Sequence, residues 1–451
     1  MWEFVDAGFC AFKLRNEPGT ERSSSGKDAR WFQESTMIRR DDKGGKVLAI
    51  KGGTLLTPSE RIENGVILIR GKKIIKIGKS VPIPANTELI DASGKFVIPG
   101  MIDAHCHTGI CADGVGREHF DGNEMTDPVT PHLRAIDAIH PEDMAFKDLR
   151  EAGVTTINTG PGSGNLIGGQ AAVIKTYGST IDTMLIKAPS AMKMALGENP
   201  KRVYGEQKKT PSTRMGNVGL LREWLTKAKN YLEKKAHYEQ KSSNLEVGEK
   251  QGRKPDFFEI DLQLEELIRV LKKEIPAHIH AHRADDILTA LRIADEFDID
   301  VVLIHATEGY KVADLLAQRR IPCIVGPILF SRNKYELRGM NPKNPAILSR
   351  AGVKLAIQTD QMSAVRYITL DAALAAREGL DEMEALKAIT LSPAEILGID
   401  DRVGSLDVGK DADIVILAAH PFDITRGHVE QVLIGGELIY QKREDGTSAN
   451  T

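Results

Sequence analysis

Residues 97–110 read VIPGMIDAHCHTGI: an apolar run, a Pro-Gly turn, a second short apolar run, then His-Cys-His. In an extended strand alternate side chains share a face, so Asp103, His105 and His107 point the same way if the strand runs to its end. Two imidazoles spaced like this can grip one metal ion, and imidazole suits zinc, iron, nickel or copper. Cys106 faces the other way and reads as a small buried apolar residue. A lone His-x-His also arises by chance in a strand. The weight therefore rests on further donors.

Such donors follow. His278, His280 and His282 in AHIHAHRADDI alternate onto one face. His305 comes abruptly after four apolar residues in VVLIH, which favours a ligand over a core histidine. Asp360 ends the apolar run in VKLAIQTD, where a helix N-cap is the plainer reading. Lys187 (MLIKAP) and Lys193 (AMKMALGENPK) are two further groups near strand ends, with Glu198 as another candidate metal-facing group. Arg332, Asn333 and Arg338 follow PCIVGPILFS and could hold a substrate carboxylate. Glu308 reads as a surface residue or a support for the site. The segment GPGSGNLIGGQ, Gly160 to Gln170, allows close backbone approach and could line a pocket. No Gly-Lys-Ser/Thr follows it, which argues against nucleotide binding.

The elements that must position these groups are legible as alternation. GVTTINTG, TMLIKAP, PAHIHAH, DVVLIHAT, PCIVGPI and VKLAIQTD read as buried parallel strands. Helix-like DDILTALRIADEF, VADLLAQRR and DEMEALKAI separate the later ones. Repeated β-then-α with polar residues at strand ends predicts an α/β fold, a (β/α)8 TIM-like barrel over 99–402. An open doubly wound sheet would gather its site at one switch point instead. Residues 46–98 and 403–443 are β-rich, and neither half has enough strands to pack alone. They are expected to meet as one small β-sandwich built from both chain ends. Between Asn199 and Ile275 two charged helical stretches flank a polar loop; an outer helix pair is favoured over a lid or an oligomer contact. Residues 1–45 are polar and non-periodic, which predicts a mobile N-terminal extension; Trp2, Phe4, Phe9 and Phe12 leave a docking role open.

Composition narrows the partners. The 451 residues are 41% hydrophobic and 27% charged, as in ordinary globular chains, and long enough for a barrel plus a satellite domain. A net charge of −3 gives no electrostatic case for nucleic acid or an anionic membrane. No apolar run approaches a membrane span, and no signal peptide is legible. The four cysteines, Cys10, Cys106, Cys111 and Cys323, form no Cys-x-x-Cys pair, so a reducing cytoplasm is the simplest compartment.

PGMIDAHCH resembles the strand-one signature of the amidohydrolase superfamily, metal-dependent hydrolases on a β/α barrel. GSLDVGKDADIVIL resembles the returning segment of the superfamily's satellite domain. The ordered series of His-x-His, His, His and Asp resembles its ligand pattern, and AHIHAH and AMKMALGENPK are similar to segments of imidazolonepropionase-like proteins. The chain as a whole resembles imidazolonepropionase-like and Xaa-Pro dipeptidase-like amidohydrolases of unassigned substrate. The resemblance implies His105, His107, His280, His305 and Asp360 as ligands, with Lys193 preferred over Lys187 as a carboxylated bridge. It implies a divalent metal, zinc being expected, with one or two ions. His282 then faces substrate or supports the site, and His278 is packing. Asp360 carries the proton from water to the leaving nitrogen, and His305 or His282 helps at the oxyanion.

The function expected is hydrolysis of a carbon–nitrogen bond in an amide, cyclic amide or dipeptide, on a small-molecule substrate, with a homo-oligomer open. A deaminase is the alternative. Deaminases on this scaffold carry a Glu shortly after the strand-five His, whereas Ala281, His282 and Arg283 follow His280. A non-catalytic scaffold is the third reading; such proteins usually lose the ligands that this chain retains.

Overall fold

The computed structural model describes residues 46–113, 119–247, 257–442 and 448–450. The expected N-terminal extension and its aromatic patch lie outside the described residues.

Two sheets organise the chain. The first takes β1 (Val47–Leu56), β2 (Arg61–Arg70), β3 (Lys73–Gly78), β4 (Glu88–Asp91) and β5 (Phe96–Pro99) from one side of the sequence. The second takes β6 (Met101–Cys106), β7 (Val154–Thr159), β8 (Ile167–Lys175), β9 (Leu185–Ala195), β10 (Ala277–Ala281), β11 (Val301–His305), β12 (Cys323–Val325) and β13 (Leu355–Ile357). Then β14 (Ile414–Leu417), β15 (Val429–Ile434), β16 (Glu437–Lys442) and β17 (Ser448–Asn450) return to the first sheet. The join is the antiparallel pairing of β14 with β5, from Ile414 opposite Pro99 to Leu417 opposite Phe96. The nine strands are hydrogen-bonded as one continuous sheet, and Ile50, Ile67, Val97, Ile414 and Leu433 share its apolar core.

The eight strands β6 to β13 lie in chain order as a nearly closed barrel sheet. Its later strands are short β-branched and aliphatic runs, buried along their whole length because both faces are covered. One strand departs from the expected parallel series: β8 runs antiparallel to both β7 and β9. No strand is legible here in the sequence, because the glycines of GNLIGGQ mask the one that begins at Ile167. Gly169 has φ +121°, and a Cβ there would lie 2.4 Å from the Leu133 carbonyl oxygen.

The barrel closes where the chemistry lies. The Asp360 amide donates to the His105 carbonyl (3.3 Å) and the His107 amide to the Gln361 carbonyl (2.9 Å). Asp103 adds a buried tie: one oxygen accepts from the His105 amide, the other from the Thr359 amide and hydroxyl. Burial pushes its carboxyl up to about 7.

Helices start on side-chain caps, as at Asp143, Asp261 and Asp381, each accepting from backbone amides of the first turn. The long helix Arg214–Val247 packs on the helix Leu262–Leu271, and Leu221, Leu225 and Ala228 face the core at helical spacing. Among the described residues no helix is long and apolar enough to cross a membrane.

Candidate metal centre

Two donor groups face each other at the C-terminal end of the barrel. His105, His107 and Asp360 form the first. Asp360 Oδ1 lies 3.4 Å from His105 Nε2 and 3.2 Å from His107 Nε2. His107 Nδ1 lies 2.8 Å from the Gly160 carbonyl oxygen and must donate to it, which leaves Nε2 as a lone pair. His280, His282 and His305 form the second, all buried, with ligand atoms within 4.8 Å of one another. Asp360 Oδ2, 4.0 Å from His305 Nε2, connects the two groups.

Each imidazole of the second group is aimed from behind. His280 Nδ1 meets the Ser163 hydroxyl at 2.8 Å, and His282 Nδ1 meets the Thr307 hydroxyl at 2.7 Å. His305 Nδ1 donates to the Gly326 carbonyl at 2.7 Å. The Nε2 atoms of all three are buried and have no hydrogen-bond partner. A buried polar atom without a partner is costly, and three converging ones make this set a candidate to hold a cation. Burial lowers the pKa of His305 to about 4 and holds His105, His280 and His282 well below the ordinary value. The rings are therefore neutral, the state in which imidazole ligates. For Asp360, burial pushes the pKa up, but His305, His105 and His107 outweigh it and hold the carboxyl well below its usual range.

Strain accompanies this placement. His305 and Asp360 both have left-handed backbone, φ 72° and 55°. Val302 and Ile304 pack in the barrel interior with Ile102, Ile324 and Ala356. Strict alternation would send His305 to the opposite face. The left-handed turn at the strand's last residue brings its ring back to within 4.5 Å of His280, centroid to centroid.

The two lysines separate cleanly. Lys193 Nζ is buried 3.0 Å from His105 Nε2, and burial lowers its pKa to about 8. Lys187 donates instead to the Leu397 carbonyl at 2.8 Å, away from the donors. His278 is buried with neither ring nitrogen bonded, and burial lowers its pKa to about 3. Glu308 supports the site's frame: it accepts from the Ala284 amide at the start of a helix and from Lys311. The Gly160–Gln170 segment orients two histidines, through Gly160 and Ser163. Arg332 reaches the Met340 carbonyl and Arg338 lies over the Tyr335 ring.

Sequence reasoning missed Glu336, which is fully buried, with Oε1 3.6 Å from His280 Nε2 and 3.7 Å from His282 Nε2. Glu198, read as metal-facing, instead exchanges hydrogen bonds with it. The Glu198 amide donates to Glu336 Oε2 (2.9 Å), and the Glu336 amide donates to Glu198 Oε2 (3.3 Å).

A nearly closed barrel sheet with candidate metal donors at its strand ends is the architecture of the amidohydrolase scaffold, and the chain is similar to proteins of that kind. The profile of the Amidohydrolase family matches residues 262–439. An amidohydrolase of Thermotoga maritima MSB8 superimposes with TM-score 0.81 at 43% identity, covering 87% of this chain and 100% of that one. The amidohydrolase tasK of Hapsidospora irregularis is 28% identical over 394 residues, 82% of this chain. The chain spans only 39% of that relative's length. The imidazolonepropionase of Kosmotoga olearia is 21% identical over 405 residues, 84% of this chain and 92% of that protein. The chain belongs to the amidohydrolase family, whose members are hydrolytic enzymes acting on carbon–nitrogen bonds.

Proposed function

We propose that the protein hydrolyses the carbon–nitrogen bond of a small amide, cyclic amide or dipeptide with the help of a divalent metal, zinc being the best match to an imidazole-rich donor set. The observation that carries this reading is the convergence of three buried, unpartnered Nε2 atoms beside the His105–His107–Asp360 group. His105, His107, His280, His305 and Asp360 would hold the metal. Lys193, with its depressed pKa, would join them once its neutral amine is carboxylated. A bound divalent ion supplies Lewis acidity, polarising the scissile carbonyl and acidifying a water.

The chain's own residues do the rest. Asp360 takes the proton from the attacking water and returns it to the leaving nitrogen. Its side chain is the one carboxylate of the two donor groups still partly open to solvent, at 28% exposure, so it can reach a water and a substrate. Gly160, Ser163 and Gly326 fix the rings of His107, His280 and His305, so no reorganisation is needed as charge develops. Arg332 and Arg338, on the loop after β12, are the candidates to receive a substrate carboxylate. Buried thiols at Cys106, Cys111 and Cys323, none in a disulfide, suit a reducing cytoplasm.

Deamination on the same scaffold is a second reading, and Glu336 favours it. This carboxylate stands beside the strand-five histidines, where the sequence reading found no acid. The test is a substrate panel of N-acyl amino acids, cyclic imides, Xaa-Pro dipeptides and aminopurines, run on zinc-loaded protein with and without a chelator. Release of acid and amine, lost with chelator and with Asp360→Asn, supports hydrolysis. Ammonia from the aminopurines alone moves the assignment to deamination.

A further inference from the structure

The second donor group has two more members than the family resemblance supplies. His280 and His305 are expected from the ordered strand-end pattern; His282 and Glu336 are not. Glu336 comes from the polar loop after β12, in KYELRG, and its side chain is fully buried. Oε2 is fixed by the Glu198 amide, which leaves Oε1 turned toward His280 and His282 with no hydrogen-bond partner. The Nε2 atoms that it faces are also unpartnered. Four buried polar atoms thus lack partners in one small volume. One shared cation would satisfy all four together.

The geometry points to a four-donor site in which His280, His282, His305 and Glu336 together bind one divalent ion. This rests on the hydrolase reading above and adds two ligands to it. In a tetrahedral zinc site with bonds near 2.1 Å, neighbouring donor atoms are about 3.4 Å apart. The separations of Glu336 Oε1 from the two histidines, 3.6 and 3.7 Å, lie within a few tenths of that value. Three neutral imidazoles and one carboxylate leave a net charge of +1 with a divalent ion. Asp360 Oδ2 lies 4.0 Å from His305 Nε2, at the border with the first donor group. Lys334 is the competitor, its ammonium 3.7 Å from Glu336 Oε1 and its side chain 31% exposed. It can swing into solvent when a cation takes its place.

The ligand set also explains why the loop glycine precedes Glu198. Gly197 has φ +83°, and a Cβ there would stand 2.6 Å from Glu336 Oε2 and 3.3 Å from Asp286 Oδ2. Only glycine lets the carboxylate sit that close to the backbone.

The test is equilibrium dialysis of the metal-stripped full chain against Zn2+ and then Co2+, with bound metal counted and the visible Co2+ spectrum recorded. Wild type is compared with Glu336→Gln and His282→Gln, both close in shape to the native side chains. Each variant is expected to weaken one ion by at least about tenfold and to change the Co2+ spectrum, while the ion of His105, His107 and Asp360 stays. Lys334→Met, which leaves all four donors in place, is expected to bind that ion more tightly. It also serves if the other two variants fail to fold. Wild-type affinity and spectrum in both ligand variants, or unchanged affinity in Lys334→Met, would overturn the four-donor site while leaving the hydrolase reading intact. Failure of the wild type to take up either ion would defeat both.

Discussion

Asp360 and His305 meet with Oδ2 4.0 Å from Nε2, and each reaches that position on a left-handed backbone. His305 ends β11 and Asp360 lies three residues beyond β13, yet both carry the same left-handed backbone. Such strain persists only where surrounding structure over-determines it, and it is concentrated here at the junction of the donor groups. Asp360 is consequently the residue whose loss touches both groups. Asp360→Asn keeps the shape and removes the charge and the proton acceptor. It is expected to lower kcat by roughly 10²–10⁴-fold with little change in thermal stability. A fall in kcat below tenfold would remove Asp360 from proton transfer.

Gly197 sets the position of Glu336. Gly197→Ala forces a Cβ against Glu336 Oε2 at a φ that disfavours L residues. The expected cost is about 1–3 kcal/mol in urea unfolding, together with weaker metal binding. Stability equal to wild type would mean that the loop yields freely.

Ser163 and Thr307 act through the rings that they touch. Neither is expected to bind metal, but Ser163→Ala releases His280 Nδ1 and Thr307→Ala releases His282 Nδ1. Losing such an orienting contact typically costs 10–100-fold in metal affinity or activity, so a fall of about that size is expected in zinc affinity by competition with a chelating dye. Wild-type affinity in both variants would show that the packed strands alone hold the rings.

A further prediction concerns pH and lies far from the donors. Asp411 is buried against Lys175, Lys73 and Arg402, and Lys175 also pairs with Asp413, linking the barrel strand β8 to the small sheet. Burial pushes the Asp411 carboxyl up, but Lys175, Lys73 and Arg402 outweigh it and hold the pKa below the ordinary value. A carboxyl lowered in the folded state binds its proton more readily when unfolded. Its stabilisation is therefore present above the unfolded pKa, near ~3.9, and is lost as pH falls through the lower folded value. Between about pH 5 and pH 3 the wild type is expected to lose more stability than Asp411→Asn, measured by urea midpoint. Parallel pH profiles would show that the lysine and arginine contacts are solvent-screened.

Much of this was legible in the residues themselves, and the reasons differ by element. The strands of the barrel announce themselves as short apolar runs ending in polar groups, so His105, His107, His280, His305 and Asp360 could be picked out in order. Lys193 was separable from Lys187 only weakly, because both lie in one strand, β9, that the sequence splits at Pro189. β8 was missed because glycines break its pattern. Its antiparallel direction depends on the partners on either side, which no local signal carries. Glu336 was invisible for a different reason. It sits in a charged loop that reads as solvated surface, and only the long-range pairing with Glu198 carries it into the barrel. The role of His282 was half legible: alternation showed which face it shares with His280, but its approach to His305, with ring centroids 4.3 Å apart, depends on the strained turn at His305.

The most direct single measurement is the metal content of the purified full chain by plasma mass spectrometry, after stripping and reloading with zinc. The expected result is about two ions per chain, falling in Asp360→Asn and His280→Ala. No bound ion after loading with zinc, cobalt, manganese or iron would contradict the hydrolase assignment, because the buried imidazoles would then have some other purpose.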